Sequence, residues 1–183
     1  MPAFIALLRG INIGPHKRMK MEKLRAACEG IGFEGVKTYI QSGNVVFKAP
    51  KLSPAGLSKK IGECIVKDFG FSCEVILRSR EEMKTVIEGN PIVKSEEEID
   101  PAKLHVVFLA DKPPPAETKK LEGLILAPDR VSTSGREIYF YFPNGVSGSS
   151  LWKHPLDKVI TVPGTMRNWN TVNNLYQMAR DLA

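Results

Sequence analysis

Cysteine and histidine are scarce in this chain, with three of each among 183 residues. Cys28, Cys64 and Cys73 are odd in number, far apart and never arranged as CxxC. That pattern argues against a disulfide framework and against a zinc site. Each lies in an apolar-periodic stretch and reads as a core thiol. His16, His105 and His154 stand alone, and the patterns HxxxH, HExxH and GxSxG do not occur. His105 alternates within a strand pattern and reads as structural; His16 sits in a basic loop and reads as solvated. No cofactor and no metal is expected, and no complete catalytic constellation is present. Long apolar runs are lacking too: none approaches the roughly 20 residues that a membrane span needs. The first run, residues 3–8, is too short for a signal peptide and has no basic residue before it. These absences lead us to expect a cytoplasmic protein that does not enter a membrane.

What is present is an ordinary globular composition, 43% hydrophobic and 25% charged, with a formal net charge of +6. A mildly basic balance permits contact with phosphates without requiring it. The distribution says more. Residues 1–25 carry Arg9, Lys17, Arg18, Lys20, Lys23 and Arg25 against the single acid Glu22. Residues 80–101 lean the other way, and Glu96, Glu97 and Glu98 read as a solvated connector.

The hydrophobic periods place the elements. Residues 3–9 read as a buried strand. After a glycine-containing loop, Met21, Leu24, Ala27, Cys28 and Ile31 recur at helical spacing up to Gly32. Residues 36–41 and 44–48 are β-rich runs joined by Ser42-Gly43, a two-residue hairpin signal. A second helix runs through Leu57, Ile61, Cys64 and Ile65, and residues 73–77 form a fourth strand. A short helix at 80–88 and a connector follow. The second half repeats the order: a strand at 104–110, a helix at 116–123, strands at 129–133 and 137–142 around Ser134-Gly135, a helix at 151–159 and a short strand at 160–162. The last segment is an amphipathic helix striped by Trp169, Val172, Tyr176, Ala179 and Leu182. The fold class is therefore α+β, with two ferredoxin-like (βαββαβ) subdomains and a C-terminal amphipathic helix. The first subdomain with its connector is expected over residues 1–100 and the second over 101–183. No repeat is visible between the halves residue by residue.

Three motifs stand out: Leu8-Arg9-Gly10-Ile11-Asn12-Ile13-Gly14, Gln41-Ser42-Gly43-Asn44, and Thr165-Met166-Arg167-Asn168-Trp169. In this order and spacing the chain resembles the bacterial family of unknown function called DUF1697, over essentially its whole length. The resemblance implies one family domain spanning the chain, ferredoxin-like α+β subdomains, a bacterial cytosolic setting and no established activity. Where that family leads us to expect Gly-Gly, this chain has Gly14-Pro15, which implies a stiffer first loop.

Each motif has a chemical reading and a plain structural one. Glycines around Asn12, with Arg9 at a strand end and a helix to follow, can bring backbone N–H groups and a guanidinium to an anion. The plain alternative is a strand-to-helix loop with turn glycines; the pattern is neither GxGxxG nor a P-loop. Gln41 and Asn44 either flank a hairpin turn or read a polar ligand. Thr165, Arg167 and Asn168 open the last helix as caps or gather around an anion at its start. The leading expectation is a pocket for a phosphate-bearing metabolite, nucleotide or nucleic acid, lined by Arg9, Gly10, Asn12, Gly14, Gln41, Ser42, Asn44, Thr165, Arg167 and Asn168. One alternative is an enzyme of unrecognised type using the same pocket. Another is a protein-interaction module with an apolar patch around Tyr139–Phe142 or Leu151-Trp152. RNA recognition has some support from the basic stretch and the strand aromatics, but the basic-Gly-aromatic signature of RNA-recognition sheets is missing. Nothing fixes the oligomeric state.

Overall fold

The computed structural model describes residues 1–95 and 98–182. Two of the three connector glutamates, Glu96 and Glu97, lie outside the described residues, and Glu98 is exposed. The chain forms two compact units, one of Met1–Thr85 with Asn173–Ala183 and one of Val86–Val172. A cut after residue 100 does not reproduce them, because the end of the chain returns to the first unit.

The first unit runs β1 (Ala3–Leu8), α1 (Met21–Gly30), β2 (Glu34–Tyr39), β3 (Asn44–Lys48), α2 (Pro54–Phe69), β4 (Val75–Ser79) and α3 (Arg80–Glu88), the last crossing into the second unit. Its sheet has the order β2-β3-β1-β4, with every neighbour antiparallel. All six residues of β1 are buried, so both faces of the central strand are covered. Phe4, Ala6 and Leu8 point to one face and join Leu24 and Cys28 of α1 and Leu57, Ile61 and Ile65 of α2 in a single core. Alternate side chains of a strand go to opposite faces, which is how six consecutive apolar residues serve two surfaces. Phe33 stacks on Phe47 at 4.3 Å inside that core. Helix α2 is bounded by sequence chemistry. Ser53 accepts a hydrogen bond from the Gly56 amide at 3.0 Å, Pro54 takes the first position, and Gly70 leaves in the left-handed region at φ 76°.

The hairpin between β2 and β3 is longer than the sequence suggests. Strand β2 stops at Tyr39, which pairs with Asn44, so residues 40–43 form a four-residue connection and Gln41 is in the turn. Ile40 adopts φ 49° and Gly43 φ 81°. The Asn44 side-chain amide donates to the Tyr39 carbonyl at 3.0 Å and fastens the two strand ends.

The second unit runs β5 (Leu104–Leu109), α4 (Pro115–Leu124), β6 (Arg130–Ser134), β7 (Glu137–Tyr141), α5 (Leu156–Val159), β8 (Gly164–Asn168) and the start of α6 (Trp169–Asp181). Its sheet order, β6-β7-β5-β8, repeats that of the first unit. Two sequence expectations fail here. A continuous helix over 151–159 is broken by Pro155, which pushes His154 to φ −133° and ψ 85°. The segment becomes a 3-10 turn at Ser150–Lys153 and the four-residue α5. The last strand then lies at 164–168, not 160–162, and Thr165, Arg167 and Asn168 are strand residues paired to β5 instead of a helix start. On α6 the buried positions are Trp169, Thr171, Val172, Leu175 and Ala179; Tyr176, and Leu182 just after the helix, are only partly covered.

The register also reveals a correspondence that the sequence hides. Arg78 on β4 pairs with Ile5, the third residue of β1. Arg167 on β8 pairs with Val106, the third residue of β5. Both arginines are buried, at 1% and 8% exposure. Each is followed by a polar residue that holds the start of the next helix. Ser79 accepts from the Glu82 amide at 3.1 Å, and Asn168 from the Asn170 amide at 2.9 Å.

His105, on β5, is half-buried against Phe142, and its Nδ1 has no hydrogen-bond partner among the described residues. Burial lowers its pKa from the ordinary value, with a backbone contact to Lys103 opposing. The folded state therefore binds the proton less readily than the unfolded chain. Stability is complete above the unfolded pKa of about 6.5 and is lost as the pH falls through the lower folded value. Urea midpoints should fall between about pH 7.5 and about pH 5.5. His105→Phe, which keeps a ring against Phe142, should flatten that fall; an unchanged slope would show that His105 does not contribute.

Candidate functional site

The first motif builds a loop, and Asn12 is what holds it. Its amide nitrogen donates to the carbonyls of Met19 (2.9 Å) and Gln41 (2.7 Å), and its side-chain oxygen accepts from the Met19 amide at 2.7 Å. Its own backbone amide donates to the Lys17 carbonyl at 3.0 Å. Asn12 sits at φ 54°, a region that Asn tolerates better than most residues. The residue read as a ligand contact thus spends both ends of its amide on the backbone. It closes residues 12–19 into a ring and ties that ring to the hairpin.

The other motif glycines divide by role. Gly43 carries its carbonyl to the Leu8 amide at 2.9 Å, and a side chain there would strike Ile11 and Leu8. Gly10 and Gly14 have φ 70° and 72°, with open space around them. They serve the turn and not a close approach. Arg9 is half-buried at the end of β1, where its backbone amide donates to the Glu74 carbonyl at 3.0 Å. Asn44 is fully buried and also donates to the Ser42 hydroxyl at 2.9 Å.

The ring and hairpin border a cleft of about 650 Å³. Asn12 and Gln41 line it, and they are the only two of the ten expected site residues that do. The charged part of the lining is Arg18, Lys20 and Lys23 against one acid, Asp68, with Met19 and Phe69 as the apolar part. All three cations belong to exposed residues, and among the described residues none is held in an ion pair. The cleft lies at the start of α1, whose N-cap position is Lys20 and has no side-chain cap. The first-turn amides are left to solvent or a ligand, and they add a partial positive charge to the three full ones. The basic stretch was visible in the sequence. Asp68 and Phe69, at the end of α2, were not, because only the packing of α2 beside α1 brings them there.

A second cleft of about 450 Å³ shares Lys23, Asp68 and Phe69 with the first. Cys64 lines it, with its thiol 3.4 Å from the Ala27 carbonyl and 3.7 Å from an Asp68 oxygen. Burial, reinforced by Asp68, pushes the Cys64 thiol above its ordinary pKa. Burial takes Cys28 up to about 12 and also raises Cys73. A thiol held protonated is a poor nucleophile, and all three are shifted in that direction.

In the second unit, Arg167 donates from Nη1 to the Thr165 hydroxyl at 2.6 Å and to the Met166 carbonyl at 2.9 Å. Burial pushes its guanidinium down to about 10, which leaves it charged at neutral pH. The Asn168 amide donates to the Ala102 carbonyl at 3.2 Å. Among the described residues no cluster of His, Cys, Asp and Glu could hold a metal ion, and no helix is long and apolar enough to cross a membrane.

Residues 1–139 match the family described as "Protein of unknown function (DUF1697)". The chain belongs to this family. The match takes in β1 through α3 of this DUF1697 protein, together with the loop ring, the hairpin and both clefts, and ends within β7. Among solved structures it is similar to that of the conserved bacterial protein SP0830 from Streptococcus pneumoniae. The two are 25% identical, with a TM-score of 0.76 over 97% of this chain and 98% of that one. No curated protein matches the chain.

Proposed function

We propose that this DUF1697 protein binds a phosphate-bearing anion in the basic cleft at the start of α1. The observation that carries the reading is the lining itself: Arg18, Lys20 and Lys23 converge on a cleft of about 650 Å³ that contains a single acid. Cations with no ion-pair partner and uncapped helix amides are the donor set for phosphate. The RGIN and QSGN motifs enter as the frame, since Asn12 locks the loop that presents Arg18 and Lys20. In the same reading each four-stranded sheet with its βαββαβ order is a ferredoxin-like subdomain, and the protein works in a bacterial cytoplasm. The element orders and the SP0830 likeness support the first part.

Pyrophosphate at 100 times its dissociation constant should stabilise the protein by about 2.7 kcal/mol. For a chain of this size that is a rise of roughly 5–10 °C in the melting midpoint. Reversing two exposed charges, Lys20→Glu with Lys23→Glu, should leave the unliganded midpoint near the wild-type value. It should weaken pyrophosphate binding by about a hundredfold, at roughly a tenfold loss per charge. Wild-type affinity should also decline with added salt. Equal shifts in wild type and double variant would sink the proposal, as would no shift for any anion.

One observation favours a second reading, an interaction module. Trp152 is 66% exposed beside an apolar cleft of about 300 Å³ lined by Leu151, Leu156 and Met166. The same screen covers it, because that reading predicts no anion response.

A further inference from the structure

The two clefts of the first unit lie side by side on α1 and the end of α2. They share three lining residues, Lys23, Asp68 and Phe69, so they adjoin each other. Their chemistry differs from end to end. The first carries Arg18 and Lys20 beside the uncapped start of α1. The second runs along the flank of α1 past Ala26, Ala27 and Gly30 to Ile31, with Cys64 and Lys67 of α2 on its other side. Small residues there leave a shallow slot between α1 and α2 instead of a wall of side chains. Phe69, at the junction, is half-buried and lines both.

An inorganic phosphate would occupy only a small part of the first cleft and would leave the slot empty. Each is within or above the lower end of the size range of small-molecule sites, roughly 300–1,000 Å³. The occupant that uses the whole arrangement has a polyanionic head, a polar middle and a flat apolar body. Asp68 specifies the middle. A carboxylate facing phosphate would repel it, but one placed between the phosphates and a ring can accept hydrogen bonds from sugar hydroxyls, as an acidic residue does for ribose in dinucleotide sites. Phe69 offers a face for a base, and base–aromatic stacking tolerates any base because each has a π-face.

We infer that the ligand of this site is a free nucleoside diphosphate. The pyrophosphoryl group sits on Arg18, Lys20 and Lys23, the ribose on Asp68, and the base lies against Phe69 in the slot between α1 and α2. This inference rests on the anion-binding reading and narrows it.

The test is a calorimetric titration of the full-length protein with pyrophosphate, ADP, 2′-deoxy-ADP, adenosine and a 5′-phosphorylated oligoadenylate. ADP should bind at least about tenfold more tightly than pyrophosphate, the increment expected of one stacked base. Phe69→Leu keeps apolar bulk at the junction and should erase that increment, so that its affinities for ADP and for pyrophosphate become equal. Asp68→Asn should narrow the preference for ADP over 2′-deoxy-ADP. Asp68 is exposed, so this variant should keep the fold, and the wild-type ADP-to-pyrophosphate ratio tests the idea without any variant. If pyrophosphate binds and ADP binds no more tightly, the nucleotide assignment is overturned while the anion site stands. If the oligoadenylate binds more tightly than ADP, the ligand is a nucleic acid and the assignment is again overturned. If neither pyrophosphate nor ADP binds, both readings fail together.

Discussion

Gly43→Ala should destabilise the protein by about 2–5 kcal/mol, the sum of a left-handed backbone penalty and an overpacking cost. Gly43 has φ 81°, and a Cβ built on it would lie 2.7 Å from Ile11 Cδ1 and 2.8 Å from Leu8 Cβ. The end of Ile11 can rotate away. Leu8 Cβ cannot, because it is fixed to a strand whose amide is bonded to Gly43's own carbonyl at 2.9 Å. Relief therefore requires the hairpin to lift from the end of β1. That movement also pulls Gln41 away from Asn12 and loosens the ring that frames the basic cleft. Gly10→Ala is the internal control. It has nearly the same φ, 70°, but nothing within 4 Å of the added carbon, so it should cost only the backbone part, about 1–2 kcal/mol. The urea midpoints of the two variants separate strain from collision. Equal losses at both positions would mean that the contact between the two motifs does not hold the hairpin in place.

This contact also explains what the sequence could and could not say. The RGIN and QSGN motifs stand some 30 residues apart and look like two places for a ligand. In the fold they are chiefly partners of each other, with Gly43 against Leu8 and Ile11 and Asn12 bonded to Gln41. An asparagine that organises a loop and one that grips a substrate expose the same groups to a reader of the sequence; only the bonds tell them apart. The elements themselves were legible where the apolar period was long, as in α1 and α2. Legibility failed where local chemistry competed with period. Pro155 cut a helix that Leu151, Leu156 and Val159 would otherwise support. The β-branched Thr165, paired with β5, lies in a strand, and Asn168 both ends that strand and caps α6. The basic half of the cleft was local and visible in residues 17–23. Its acidic and aromatic half, Asp68 and Phe69, arrives through tertiary packing and leaves no mark on the sequence near Arg18.

Arg167→Ala should lower stability by about 3 kcal/mol, from unmade hydrogen bonds together with the cavity left behind. At 2–4 °C per kcal/mol that is a fall of roughly 6–12 °C in the melting midpoint. The side chain is 8% exposed and donates to the hydroxyl of Thr165, which is itself 8% exposed, and to the Met166 carbonyl. Truncation leaves those acceptors buried without their donor. Arg167→Lys keeps a charge but loses the planar fork, and Arg167→Met fills space without donors, so each should recover only part of the loss. A full recovery by Met would assign the position to volume alone. The same variants separate framework from ligand contact. Arg167 is the fourth residue of β8, at the register position that Arg78 holds on β4, each opposite the third residue of a central strand. A role tied to that position is architectural, and it should persist whatever the protein binds. Folded Arg167→Met should therefore titrate with pyrophosphate as the wild type does, while Lys20→Glu with Lys23→Glu does not. A variant of normal stability that no longer binds pyrophosphate would instead make Arg167 part of the anion site.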